Sequence, residues 1–151
     1  MAETDPRYAM AAWRTFLEAH ARVTECLEQE LQEAHGLSLP WYDVLVQLSE
    51  VRDRRLRMTE LAAAVLLSKS GLTRLVDRML SAGLVDRESD PSDRRGIYVC
   101  LTDAGLARLR EAAPTHLRGI QQHFTGSLTQ DEAITIADAL GRVAQAAYAS
   151  S

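Results

Sequence analysis

The sequence predicts a mainly α-helical chain carrying one small β-hairpin, an α+β fold, and three observations predict it. Two long segments near the ends, 7–34 and 103–124, repeat apolar residues at three- and four-residue steps. A central stretch, 59–82, reads helix, tight turn, helix. The run Ile97-Tyr98-Val99-Cys100-Leu101 alternates in the manner of a strand, behind the charged stretch SDPSDRRG.

In the first helix, 7–34, Trp13, Phe16, Leu17, His20, Val23, Leu27 and Leu31 form the stripe, and Gly36 is a stop signal. Ser38 and Pro40 open a second helix, because proline is tolerated in a first turn. Arg52 to Arg57 reads as a polar connection. Thr59 is placed to cap a short third helix reaching about Leu66, and Ser68 to cap a fourth reaching about Ala82, with Gly83 at its left-handed terminus. Leu84–Glu88 and Gly96–Leu101 read as the two strands. Thr102 caps a long helix to about Phe124, in which Pro114 is expected to kink the axis without ending it. Thr129-Gln-Asp-Glu132 is a capping box, and a last helix follows to about Tyr148.

A chain of 151 residues suits one domain, and no apolar run approaches the roughly 18 residues that cross a bilayer. The start, MAETDPRYAM, has no apolar signal region, so a cytoplasmic location is expected. Cys26 and Cys100 are far apart, which suits two free thiols. The P-loop, GxGxxG, HExxH and GxSxG patterns are all missing, so enzyme chemistry is not indicated and no cofactor is expected. His116 and His123 stand two turns apart on one helix, too far to share a metal without further ligands.

The net charge of −4 argues against a polyanionic partner, but its distribution argues for one. Residues 52–95 hold ten basic and seven acidic side chains, a local balance of +3, whereas the remainder is −7. Such a basic centre between acidic flanks suggests one surface facing a polyanion, with chance clustering on a solvated face as its other reading. The fourth helix sorts accordingly. Leu72, Leu75, Val76, Met79 and Leu80 take one side; Ser70, Thr73, Arg74, Asp77, Arg78 and Ser81 take the other. Hydroxyls can bond phosphates or base edges, and an arginine fork matches guanine in the major groove of double-stranded DNA. Ser68 and Lys69 fall near the backbone, where a helix N-terminus also attracts phosphate. A hairpin beside such a helix can reach the adjacent minor groove with Arg94 or Arg95, with Asp93 orienting one guanidinium.

The stretch MTELAAAVLLSKSGLTRLVDRMLSAGLVDRESDPSDRRGIYVCLTDAG, residues 58–105, resembles the MarR family of winged helix-turn-helix regulators. TRLVDRML matches its recognition helix, GLVDR its strand entry, and DPSDRRG with the following V and LT its wing. Ser92 departs from the pattern, since many wings are basic there. The resemblance implies a ligand-responsive transcriptional regulator, usually a repressor, that binds a pseudo-palindromic operator as a homodimer. It implies a winged helix-turn-helix lobe at 38–102 within a single domain, with dimerisation helices at 7–35 and 103–149. Apart from the resemblance, the terminal stripes are longer than the middle of the chain can cover, which also favours a dimer.

Many relatives are released from DNA by a small aromatic or phenolic ligand. Trp13, Phe16, His20, Trp41, Tyr42 and His116 are the candidate pocket residues here, with core and dimer packing as their other reading. Two other functions are weighed. Thiol-based redox sensing is disfavoured because Cys26 lies mid-helix between Glu25 and Glu28. A protein-interaction module would need an apolar patch where the fourth helix is polar and cationic.

Overall fold

The computed structural model describes residues 3–66 and 70–150. The elements in chain order are α1 (Pro6–His35), α2 (Leu39–Glu50), a 3-10 turn (Arg52–Arg54), β1 (Arg55–Arg57), α3 (Met58–Ala64), α4 (Leu72–Ser81), β2 (Val85–Asp90), β3 (Asp93–Leu101), α5 (Asp103–His123), a second 3-10 turn (Thr125–Ser127) and α6 (Gln130–Ala149). The fold class expected from the sequence is the one observed. No helix among the described residues is long and apolar enough to cross a membrane.

The chain divides into two compact units, one of residues 27–116 and one of residues 1–26 with 117–151. The first unit is a lobe in which α2 and α3 lie against the sheet and α4 lies against β2. Its interior is aliphatic: Leu31, Leu37, Val44, Leu45, Leu48, Leu61, Val65, Val76, Met79, Val85 and Val99 are almost wholly excluded from solvent. The second unit is helical, from the N-terminal part of α1, the end of α5 and α6. Among the described residues, every buried hydrophobic side chain belongs to the lobe. In the helical unit Trp13, Phe16, Leu17, Leu117, Ile134 and Val143 are all exposed.

Several local expectations hold for the predicted reasons. The Ser38 hydroxyl accepts the Trp41 N–H at 3.3 Å and starts α2, with Pro40 in the first turn. The Thr102 hydroxyl accepts the Gly105 N–H at 2.9 Å and starts α5. The capping box at Thr129 and Glu132 is formed in both directions. At the end of α4, Gly83 takes φ 75°, its N–H bonds the Leu80 carbonyl, and the Leu84 N–H reaches back to Met79. This is the paired closure that a left-handed residue permits.

Other expectations are corrected. The connection at 52–57 ends in a strand, β1, so the hairpin is the outer part of a three-stranded antiparallel sheet of order β1-β3-β2. Leu56 pairs with Val99, and Arg57 with Tyr98. Thr59 does not cap α3: the helix begins two residues earlier than that cap implies, at Met58, with Arg57 in the cap position and no side-chain cap bond. The hairpin strands run further than expected, so the turn between them is only Pro91 and Ser92.

Candidate nucleic-acid interface

The helix α4 is amphipathic in the way its sequence requires. Leu72, Val76 and Met79 are buried, while Thr73, Arg74, Asp77 and Arg78 are exposed on the other side. Ser70 does not stand on this face as expected. The helix starts at Leu72, with Gly71 in the left-handed region (φ 71°) at the cap position, so Ser70 is an exposed residue of the preceding turn. Ser68 and Lys69, also assigned to this site, lie outside the described residues. Thr73 and Arg74 instead border a hollow of about 390 Å³, together with Met58, Ala62, Gly71 and Leu72. The starts of α3 and α4 thus frame one concave patch.

The hairpin carries arginines in two chemical conditions. Arg55 pairs with Glu88 at 3.1 Å and lies over the Tyr98 ring at 4.5 Å. Arg57 pairs with Asp90, and Arg87 with Asp77 of α4. These three belong to the fabric of the lobe: Arg87 ties β2 to α4, and Arg57 ties β1 to the end of β2. By contrast Arg74, Arg78, Arg94 and Arg95 have no ion-pair partner among the described residues. Arg52 and Arg54 of the 3-10 turn are likewise exposed and without an ion-pair partner among the described residues.

Asp93 acts differently from expectation. Its carboxylate accepts the Arg95 backbone N–H at 3.0 Å, not a guanidinium, so it shapes the chain after the turn and leaves both arginine side chains untethered. Arg94 and Arg95 are exposed and, with Gly96, have no partner on β2: they sit in the irregularity between the Asp90–Asp93 and Ser89–Ile97 pairs, next to the turn. The residue that organises the tip is Asp90, which the sequence reading did not single out. It is buried, and its Oδ1 accepts the Ser92 backbone N–H at 2.9 Å and the Ser92 hydroxyl at 2.7 Å. Those two bonds, followed by Arg57, hold the Asp90 carboxyl below the ordinary aspartate range. The Arg57 guanidinium is raised in turn, by the Tyr98 hydroxyl first and then by Asp90. The one visible signal for this cluster was the alternation Arg55-Leu56-Arg57, which is too short to declare a strand.

A lobe that presents one cationic helix beside an arginine-bearing hairpin has known counterparts. The crystal structure of AbsC, a MarR family transcriptional regulator from Streptomyces coelicolor, superposes with a TM-score of 0.87 at 37% identity, over 98% of this chain and 99% of that one. The chain belongs to the MarR family. The MarR family model matches residues 35–96 of this protein, spanning the end of α1 to the hairpin. The MarR family regulator Sco3205 from the same organism, solved in complex with DNA, superposes with a TM-score of 0.87 at 34% identity, over 97% and 91% of the two chains. The HTH-type transcriptional regulator YkoM of Bacillus subtilis is 31% identical over 130 residues, 86% of this chain and 82% of its own. This MarR-family protein is therefore a DNA-binding transcriptional regulator, not an enzyme, and its hairpin is the family's wing.

The six candidate pocket residues fall in two groups. In the helical unit, Trp13 and Phe16 have ring centroids 6.1 Å apart, and Phe16 and His20 6.3 Å. Phe16 and His20 line an apolar hollow of about 490 Å³ with Val23, Phe124, Ile136 and Leu140. In the lobe, Tyr42 is buried and its ring meets that of His116 at 4.4 Å, while Trp41 is half-buried. Burial lowers the His116 pKa, partly opposed by the charge of Glu30, and its Nδ1 has no hydrogen-bond partner among the described residues. Both thiols are free, and burial pushes that of Cys100 up to about 11, with Glu88 adding to the rise. A protonated, half-buried thiol is a poor oxidant sensor.

Proposed function

We propose that this regulator is a homodimeric repressor that grips a pseudo-palindromic operator through α4 in the major groove and the wing in the flanking minor groove. The observation that carries this reading is the separation of its arginines. On the sheet, Arg55, Arg57 and Arg87 are neutralised by carboxylates, whereas Arg74 and Arg78 on α4 and Arg94 and Arg95 on the wing are exposed and have no ion-pair partner among the described residues. Thr73 and Arg74 read the groove, Arg78 follows along the helix, and Ser70, with Ser68 and Lys69, serves the backbone. Asp93 fixes the backbone from which Arg95 projects.

The dimer reading rests on the helical unit. Its stripe residues Trp13, Phe16, Leu117, Ile134 and Val143 are exposed in the single chain, and covering them by a second copy recovers about 25 cal/mol for each Å² of apolar surface. A dimer places two copies of α4 on half-sites about one helical turn apart, and a protein seated across such a site blocks access to it. A small aromatic or phenolic ligand taken up among Trp13, Phe16 and His20, or among Trp41, Tyr42 and His116, would favour the DNA-free state; the apolar hollow beside Phe16 supports the first place.

The deciding experiment selects bound fragments from the source genome and footprints the tightest one. Two protected half-sites with centres about 10 base pairs apart are expected. One protected half-site, with the protein monomeric in sedimentation, contradicts the dimer reading. Equal affinity for selected and random duplex at every salt concentration contradicts operator reading.

A further inference from the structure

The wing arginines are free to act only if something else fixes the strand they stand on. Asp90 is the last residue of β2, at an irregularity in the hairpin register between Ser89 and Asp90. Its two oxygens have separate partners. Oδ1 holds Ser92 in the turn, and Oδ2 takes the Arg57 guanidinium. Arg57 is the residue immediately before α3, the first helix of the helix-turn-helix, and its Nε also lies 3.8 Å from Glu60 in that helix. The same guanidinium sits 5.6 Å from the centre of the Tyr98 ring on β3. The fit around Asp90 is close on its other side too: a Cβ at Gly96 would come within 3.0 Å of the Asp90 Cβ. One side-chain pair thus links the wing's turn, both hairpin strands and the start of α3.

We infer that Arg57 and Asp90 are positioning residues for DNA binding, which hold the wing at the angle where Arg94 and Arg95 meet DNA while touching no nucleotide themselves. The inference rests on the reading of Arg94 and Arg95 given above. A pair that fixes direction acts only through the groups it directs. Its removal therefore has no effect once those groups are gone.

The test measures operator affinity across salt for Asp90→Asn, Arg57→Gln and Arg57→Lys, each in the natural chain and in one carrying Arg94→Ala with Arg95→Ala. Asp90→Asn keeps an acceptor for Ser92 and removes the charge that holds Arg57. Thermal unfolding confirms that each variant is folded, and Asp90→Asn, nearly isosteric, serves if Arg57→Gln is not. In the natural chain Asp90→Asn and Arg57→Gln should each weaken binding about tenfold, a coupling of ordinary size for residues in one network, and Arg57→Lys should recover part of it. In the alanine background neither should weaken binding further.

Three results overturn the inference. Unchanged or tighter binding by Asp90→Asn would mean that Arg57, once released, is a DNA contact in its own right. Equal losses in both backgrounds would mean that the pair supports the lobe in general. If the double alanine variant itself binds the operator like the natural protein, the reading of the wing fails first, and that outcome is distinct from the other two.

Discussion

The carboxylate of Asp43, buried in α2, accepts the backbone N–H of Leu66 at 2.7 Å, across 23 residues of sequence. Leu66 stands just after α3. The bond therefore anchors the chain where it leaves α3, ahead of α4 in the sequence. Gln47, one turn along α2, donates to the same carboxylate at 3.3 Å. Removing the acceptor leaves a peptide N–H without its partner, so Asp43→Ala should cost about 1–3 kcal/mol in a denaturant titration. Asp43→Asn, which keeps an acceptor oxygen, should cost less. Equal stability of Asp43→Ala and the natural protein would remove the anchor from the account.

Arg74 and Arg95 should fail in different ways. Arg74→Ala is expected to lower affinity for the selected operator more than for random duplex, because a base contact carries about 1–3 kcal/mol of discrimination. Arg95→Ala should cost at least about 1 kcal/mol on the operator and reduce the salt slope by about one. Gel-shift titrations over a range of salt separate the two. Uniform loss for Arg74→Ala on both duplexes would assign it to phosphate.

The start of α5 has no room for a side chain at Gly105. An added Cβ there would lie 2.1 Å from the Leu84 carbonyl oxygen, a backbone atom that cannot swing aside. Gly105→Ala should therefore destabilise the lobe by more than about 3 kcal/mol. Gly141, inside α6, has open space around it, so Gly141→Ala should be neutral or stabilising by up to about 1 kcal/mol. Chemical denaturation of both variants checks the contrast.

His116 predicts a pH dependence with a definite sign. Burial lowers its folded pKa, so the unfolded chain binds the proton more readily. Its contribution to stability is complete above the unfolded value of about 6.5 and is lost as pH falls through that value toward the folded one. The thermal midpoint should drop between pH 7.5 and 5.5, and His116→Phe should drop less over the same range. Identical profiles for the two proteins would show that the ring is protonated as easily in the fold as outside it.

What the sequence disclosed, and what it withheld, follows from the range of the forces involved. The long helices were legible because a stripe such as Trp13, Phe16, His20, Val23 and Leu27 repeats at the helical period, and because Ser38, Thr102 and Thr129 cap through atoms three residues away. The strand β1 was not, since three residues with one apolar side chain carry no period. Thr59 misled because a hydroxyl near a helix start looks like a cap even when the chain enters the helix two residues sooner. Asp43 and Asp90 were invisible as site residues: an aspartate looks solvated until partners 23 and 33 positions away are brought to it. On α4 the division of faces was legible from Leu72, Val76 and Met79, but its first turn was not, because Gly71 delays the helix past Ser70.

The two-residue turn at Pro91 and Ser92 has a geometric corollary for its neighbours. Between the Asp90–Asp93 pair and the Ser89–Ile97 pair, Arg94, Arg95 and Gly96 have no partner on β2, so both arginines stand in a bulge beside the turn. A bulge re-aims the side chains it carries, so the reach of both arginines is set by how the chain closes at Ser92, and a residue inserted there would redirect the two together.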